Sequence, residues 1–425
     1  MSPFRTNTDS SLSDPVAHAA ERPQPAPLRV LFVSHSLPPK GRPLANIGGM
    51  QRVATQLMRS LDAHDGVDVS SHLLRTSWRW IHLRTPGFLV KTWWELRRRA
   101  QAEDIDVVLF SSMVTAPMAL PARGLLEDAG IQTAAIVHGR DVTLPFTPYQ
   151  WLVPRVFETM DALYPVSRAT AEVCYERGAT PEQTRVIHNG IDLNRFPSPG
   201  DRSTMRSTLV EALDDSHNPL PDDAFLLSSV GRHVERKGFA WFIDHVMPTL
   251  PTNVHYWLAG NGPESDAIQA AIDRNNLNGR VRLLGRVSEE NLGKLYRGSD
   301  LFIMPNIPVE GDMEGFGVVI LEANQCGCPV IAARLEGIQD VVTEGLNGHL
   351  VEVQNASEFA TSIMRYHDDE PTLQAASERA VEHVASTFGW QARANEYVRA
   401  LRALHGEPVA APPSPARQPS MASSA

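Results

Sequence analysis

Cysteine is nearly missing from this chain: Cys174, Cys326 and Cys328 are the only three in 425 residues. So few exclude a disulfide framework and fit a reduced compartment, and Cys326-x-Cys328 has no second pair to complete a zinc site. Lysine is scarce too, four residues against 35 arginines, so a lysine in a suggestive place carries weight. No apolar run reaches the roughly 18 residues that a bilayer span needs, and the N-terminus lacks a signal-peptide core. The expected location is therefore cytoplasmic. A net charge of −10 leaves no basic excess for bulk nucleic-acid binding. No repeat of solenoid period is visible.

What is present supports two or three domains, with 42% hydrophobic residues to build their cores. The Ser/Pro/Ala-rich ends, 1–27 and 405–425, are expected to be disordered tails. Between them the pattern predicts an α/β chain in two Rossmann-like halves, 28–190 and 191–388, with a closing helix over 389–404. Short apolar runs predict buried parallel strands at 29–35, 67–73, 105–110, 131–137 and 162–166, then at 225–230, 254–258, 281–284, 301–304 and 329–332. The polar, proline-containing stretch 197–223 reads as linker or surface insertion. Trp390, Ala394, Tyr397, Leu401 and Leu404 recur at helical spacing and form a packing face.

Open parallel sheets bind ligands beyond the C-terminal ends of their strands, which directs attention to four places. Gly48-Gly49 follows the first strand; the pair is either a tight turn or a close approach to a ligand. His138, in His138-Gly139-Arg140-Asp141, follows the strand at 131–137 and is placed for chemistry or for structure. Arg232 and Lys237 flank the turn after the first strand of the second half, where a guanidinium fork and a compact ammonium suit a diphosphate. Finally Glu314-Gly315-Phe316-Gly317 reads as a helix opening whose glycines leave amides uncovered for an anion, with Glu322 about two turns on. A carboxylate beside such an anion seat suits a phosphate carrying hydroxyl-rich groups; taken alone it is equally an ordinary cap with a solvated Glu. Asp104-Ile105-Asp106 imitates a metal-binding DxD but precedes its strand, and is read as solvated loop. The turn Gly260-Asn261-Gly262-Pro263-Glu264-Ser265 is a poor dinucleotide fingerprint and weighs against NAD.

The sequence Gly231-Arg232-x4-Lys237-Gly238, followed by Glu314-x7-Glu322 in an EGFGxxxLEA context, resembles the retaining glycosyltransferases of family 4. Gly48-Gly49, His138-Gly-x-Asp141, the NGID at 189–192, LAGNGPE at 258–264 and GxPVIA at 327–332 agree in order and spacing. The resemblance implies a GT-B architecture, two Rossmann-like domains facing across a cleft, with no cofactor or metal beyond the NDP-sugar donor. It implies that Arg232 and Lys237 hold the diphosphate and Glu322 the ribose. Glu314 and the backbone of Gly315, Phe316 and Gly317 would hold the transferred sugar. His138 would contact that sugar from the other half, with Gly48, Gly49 and Asp141 among the substrate-binding positions. Two rival readings keep the same architecture: a nucleotide-sugar epimerase, and a catalytically silent sugar-nucleotide binder serving as a partner subunit.

Residues 75–100 hold seven basic residues against Glu95, and four of the eight tryptophans, Trp78, Trp80, Trp93 and Trp94. From Phe88 on, Leu89, Trp93, Leu96 and Ala100 share one helical face. A basic, tryptophan-rich amphipathic segment suits an anionic bilayer surface and a lipid-linked or membrane-proximal acceptor. A domain helix with buried tryptophans and solvated arginines is the other reading.

Overall fold

The computed structural model describes residues 26–39, 49–76, 78–196, 202–213 and 220–407. Gly48 and most of both expected tails fall outside them. In the first half, β1 (Leu28–Leu37), β2 (Val67–Arg75), β3 (Val107–Phe110), β4 (Gln132–Val137) and β5 (Ala162–Pro165) form one parallel sheet of order β2-β1-β3-β4-β5. In the second, β6 (Phe225–Val230), β7 (Val254–Ala259), β8 (Val281–Gly285), β9 (Leu301–Met304), β10 (Val330–Ala333) and β11 (Gly348–Val351) form another, of order β11-β10-β9-β6-β7-β8. Helices cover both faces of each sheet, which is why strands such as β3 and β9 are apolar and buried at every residue.

The helices of the first half are α1 (Gly49–Asp62), α2 (Trp78–Ala102), α3 (Ala119–Asp128), α4 (Arg140–Thr143), α5 (Thr147–Phe157) and α6 (Arg168–Tyr175). Those that follow are α7 (Arg202–Leu213), α8 (Phe239–His245), α9 (Ser265–Arg274), α10 (Glu289–Gly298), α11 (Val318–Gln325), α12 (Ala356–His367), α13 (Glu370–Phe388) and α14 (Trp390–Leu404).

In each sheet the strand order reverses once, between β1 and β3 in the first and between β6 and β9 in the second. A crevice opens at such a point because the connections on either side run to opposite faces. The loops after β1, β3, β6 and β9 are therefore the ones positioned to build a site.

The chain crosses between the halves twice, side by side: Ile191 N–H donates to Phe388 O at 2.8 Å, and Ile191 bridges Gly389. α14 then runs back onto the first half and packs against α1. Tyr397 meets Tyr164 edge to face at 5.8 Å, and Arg402 Nη2 donates to Gly66 O at 2.9 Å. Phe32, Ile191, Phe316, Trp390 and Tyr397 belong to one continuous apolar cluster that reaches into both halves.

Four expectations are corrected. The stretch at 197–223 is not merely linker: its described part includes α7, whose Leu209 is fully buried and whose Arg206 pairs with Asp300 at 2.6 Å. The helix expected to open at Glu314 begins at Val318, because Gly317 at φ 80° turns the chain into it. Asp106 is not just solvated; it accepts from Arg29 N–H at 2.8 Å and pairs with the Arg29 side chain at 2.5 Å, tying β1 to β3 at the sheet end away from the cleft. Lastly, the face carrying Phe88, Leu89, Trp93, Leu96 and Ala100 packs into the first half: Phe88, Leu96 and Ala100 are buried, and Leu89 and Trp93 partly so. Apolar area goes where it is covered, and the helix presents a different stripe to solvent.

Tyr397→Ala should destabilise the protein by about 3–5 kcal/mol, the usual cost of removing a buried aromatic ring. Urea denaturation measures it. An effect below about 1 kcal/mol would mean that α14 does not hold the first half.

Candidate active site

The loops after β6 and β9 are pressed together backbone to backbone. Gly238 sits at φ 65°, and a Cβ there would come within 1.9 Å of Pro305 O. Only glycine fits such an approach. This contact delivers Lys237, at the end of a short 3-10 turn, to Glu314: Nζ lies 2.6 Å from Oε2. Arg236 Nη2 is 3.6 Å from the same oxygen, Asn306 Nδ2 is 3.3 Å from it, and Arg236 also pairs with Asp312 at 3.4 Å. Lys237 and Arg236 are both buried. Burial pushes the Glu314 carboxyl up, but Lys237 and Arg236 together outweigh it and hold the group below the ordinary carboxylate range. Burial lowers the Lys237 pKa while Glu314 opposes the shift. With Lys237 and Asn306 donating to Glu314 and the Arg236 charge close by, the pair is an ionised one.

Arg232 is exposed at the mouth of this pocket and makes no ion pair among the described residues. Partial burial of its guanidinium and the like charges of Arg140 and Arg236 lower its pKa, although an arginine keeps its proton. Arg140 comes from the opposite half, so cations from both sides converge on one space.

The opposite wall is the turn after β4. Asp141, fully enclosed, accepts from His138 N–H at 2.9 Å and Met113 N–H at 3.0 Å, which shapes the turn. Burial raises the Asp141 pKa, against the pull of His138. His138 Nε2 lies 3.0 Å from Ser111 O. A carbonyl only accepts, so Nε2 carries a proton, and in the neutral form of the ring Nδ1 is the acceptor. The two walls touch at glycines: a Cβ on Gly315 would be 2.3 Å from His138 O, and one on Gly139 3.3 Å from Gly315 Cα. Arg168 N–H also donates across to Asp340 at 2.5 Å.

Glu322, buried on α11, faces a separate corner of the cleft. Its Oε2 accepts from Tyr296 OH at 2.9 Å, and its Oε1 from Arg195 and, at 3.2 Å, from Arg52 of α1. Glu289, at the start of α10, closes the ring on Arg52 at 3.0 Å and Arg195 at 2.8 Å. Of the roughly four lone-pair positions of a carboxylate, three are thus in use. Gly49 faces the same corner, and a Cβ there would meet nothing within 4 Å. Gly48 lies outside the described residues. Phe316 turns its ring into the core against His188 and Phe388, so only its backbone is available to a ligand. Gly317 is the N-cap of α11 and no side chain caps that helix.

Arg232, Lys237, Glu314, Gly315, His138 and Asp141 are thereby gathered on the two walls of one cleft, with Glu322 and Gly49 at a neighbouring corner. Sequence reasoning missed Arg140, Arg236, Asn306 and Glu336. Arg140 and Arg236 were inside quoted motifs and were passed over as filler. Glu336 follows β10, where the strand-end rule pointed but was not applied. It is a non-glycine residue at φ 45°, a conformation that costs roughly 1–2 kcal/mol, and its Oε2 accepts from Glu314 N–H at 2.5 Å. Burial and the neighbouring Glu314 and Asp312 raise its pKa.

Fourteen buried side-chain polar atoms among the described residues have no hydrogen-bond partner. Four of them, on His233, Arg236, Asn306 and Asp312, lie in the loops after β6 and β9, and a fifth, on Ser112, follows β3.

Two Rossmann-like halves facing across this cleft are the GT-B fold. Among solved structures, the fold matches Anabaena Alr3699/HepE in complex with UDP and glucose (TM-score 0.64, 20% identity, 88% of this chain and 99% of that one). It also matches sucrose-phosphate synthase of Thermosynechococcus elongatus (TM-score 0.68, 20% identity, 89% and 99%). The family model "Glycosyltransferase Family 4" matches residues 47–195 and "Glycosyl transferases group 1" matches 224–369, which together take in both sheets. The chain belongs to the family 4, group 1 glycosyltransferases. Similar curated proteins include a putative colanic acid biosynthesis glycosyltransferase WcaL of Salmonella typhimurium, 29% identical over 63% of this chain and 64% of that one. A D-inositol 3-phosphate glycosyltransferase 1 of Catenulispora acidiphila is 32% identical over 50% of each. A lipopolysaccharide core biosynthesis glycosyltransferase LpsE of Rhizobium meliloti is 33% identical over 45% of this chain and 54% of that one. The matches thus span about half to two thirds of the length of these relatives.

Gly315→Ala tests whether the contact between the walls matters to turnover. The added methyl drives the His138 turn and the Glu314 turn apart. The rate of NDP release from the best NDP-sugar is expected to fall roughly 100-fold, as for a misplacement of about 1 Å. Tm should shift by less than about 4 °C. Unchanged turnover would show that the walls need not meet.

Proposed function

We propose that this protein is a retaining, metal-independent glycosyltransferase that moves a sugar from a UDP- or GDP-sugar to a hydroxyl acceptor. The observation that carries the reading is the Lys237–Glu314 pair at the β6/β9 crevice, with buried Arg236 and exposed Arg232 beside it. Arg232 and Lys237 take the diphosphate and stabilise the charge that grows on it as the glycosidic bond breaks. The uncapped start of α11 adds backbone amides to the same anion. Glu314 accepts from hydroxyls of the transferred sugar, and His138 Nδ1 accepts another from the opposite wall. Glu322, through its remaining lone pair or on displacing Arg52, accepts from the ribose. The acceptor oxygen bonds to the anomeric carbon on the face the diphosphate leaves, and its proton passes to the leaving phosphate oxygen. No carboxylate nucleophile is required, so the Glu pair is not a hydrolase pair.

The acceptor is a lipid-linked or cell-surface glycan, reached from an anionic membrane surface. Support comes from the outer face of α2, where Trp80, Leu83, Arg84, Val90, Lys91, Trp94 and Arg98 are exposed at helical spacing. Apolar and basic residues alternate along that stripe, as a peripheral membrane helix requires. Among the described residues no helix is long and apolar enough to cross a membrane. The relatives named for colanic acid and lipopolysaccharide core synthesis point to the same class of acceptor.

Titration with UDP, GDP and ADP, together with product analysis on a panel of NDP-sugars, tests the reading. Lys237→Ala and Glu322→Gln should weaken the preferred nucleotide by roughly tenfold or more. Glu314→Ala should depress turnover more than NDP affinity, and a chelator should change nothing. Full activity in all three variants, or activity restored only by a divalent cation, overturns the assignment; an altered NDP-sugar without acceptor marks an epimerase. For the membrane surface, flotation with anionic vesicles should recover the protein where neutral vesicles do not. The joint change Trp80→Ala, Leu83→Ala and Trp94→Ala should abolish that recovery, and equal recovery with both lipids removes the idea.

A further inference from the structure

Glu336 has no role in the reading above, yet it is docked on the turn that reading depends on. Its Oε2 accepts from Glu314 N–H at 2.5 Å, and Gly337 N–H donates back to Glu314 O at 3.1 Å. The two turns are therefore joined by a reciprocal pair of bonds, one through the Glu336 side chain and one through backbone. The approach is close: a Cβ on Gly337 would lie 2.2 Å from Gly315 O. Glu336 itself sits at φ 45°, where glycine is the unstrained residue. A long acidic side chain in a glycine conformation is explained by what the side chain reaches.

Beyond the bond to Glu314 N–H, Oε1 of Glu336 makes no hydrogen bond among the described residues. It is also not among the enclosed polar atoms, and Glu336 is half-buried, so this oxygen is not shut inside the protein. Its bond to Glu314 N–H places the Glu336 carboxyl beside the Glu314 turn, the part of the site assigned to the sugar. An anchored carboxyl with one oxygen free, next to a second carboxylate, is a hydroxyl reader: its position is fixed, and it discriminates by where the hydroxyl stands.

We propose that Glu336 is a donor-specificity residue that accepts a hydroxyl of the transferred hexose through Oε1 while Oε2 holds the Glu314 turn. This rests on the assignment of Glu314 to the sugar. Epimers whose hydroxyl points away leave the carboxyl unpaired in the closed cleft and are rejected for that reason.

Glu336→Gly is the informative variant, since glycine is at home at this φ and Tm should hold or rise. Donor kinetics on UDP- and GDP-hexose epimers, beside Kd values for free UDP and GDP, provide the readout. The expected result is a roughly tenfold fall in kcat/KM for the preferred donor, a narrowed preference among epimers, and free-nucleotide affinity unchanged within about twofold. Glu336→Gln, which keeps an acceptor oxygen, should recover part of the loss. An unchanged ratio between epimers overturns the proposal, and so does a loss of free-nucleotide affinity in step with donor affinity, which would mark a structural role. The underlying reading fails separately: it falls if Lys237→Ala and Glu322→Gln leave nucleotide binding untouched.

Discussion

The pair of Lys237 and Glu314 is the contact around which the site is arranged. At 2.6 Å, with Lys237 buried and Glu314 largely so, neither charge is well tolerated alone: removing one partner of a buried pair typically costs about 3–5 kcal/mol. The pair exists because two strands adjacent in the sheet, but distant in the chain, send their loops over the same crevice. The glycine contact between Gly238 and Pro305 O then closes the remaining distance. Sheet order sets which loops meet, and the missing Cβ sets how closely. Arg236 and Asn306 complete the donors around Glu314 and hold it as an anion.

A similar logic ties the halves together. The cleft is closed at one corner by the ring of Arg52, Glu289, Arg195 and Glu322, and at the other by the glycine contact between the His138 and Glu314 turns. Polar links of this kind can be broken by a competing ligand, whereas the apolar cluster through Phe316, Ile191 and Trp390 cannot be opened without exposing core.

Much of this was legible in the sequence, and the reason is periodicity. Buried parallel strands are short apolar runs whatever surrounds them, so ten of the eleven strands could be read, with ends shifted by one or two residues. β11 was missed because Gly348-His349-Leu350-Val351 is short and half polar. Site residues quoted in motifs were legible because strand ends are where such sheets bind ligands. Residues whose role depends on contacts from far along the chain were not. Nothing local in Arg52 or Arg195 announces that each reaches Glu322, and nothing in α2 alone says which of its two apolar faces the sheet will cover. The face with Phe88 and Leu96 won because it meets the core beside β1 and β3, leaving Trp80, Leu83 and Trp94 outside. Glu336 was hidden for a different reason: its conformation belongs to glycine, and sequence gives no sign of a positive φ at glutamate.

The ion pair also bears on how charge would be managed in the proposed reaction, which expels a diphosphate. A lysine buried without a partner would lose its proton, and one left in solvent would bring little to the transition state. Glu314 solves the first difficulty by holding Lys237 charged inside the protein. On the proposed reading the substrate resolves the second, since its two parts match the two members of the pair: the phosphate competes for the ammonium, and the sugar hydroxyls for the carboxylate. Splitting a buried pair is costly unless both partners are satisfied at once. A free diphosphate satisfies Lys237 and leaves Glu314 with only Arg236 and Asn306, while a neutral sugar satisfies Glu314 and leaves Lys237 short of its partner. An intact nucleotide sugar does both. On that reading the same pair that joins the two loops selects for the joined donor over either of its fragments, without a separate recognition element for the bond that is to be broken.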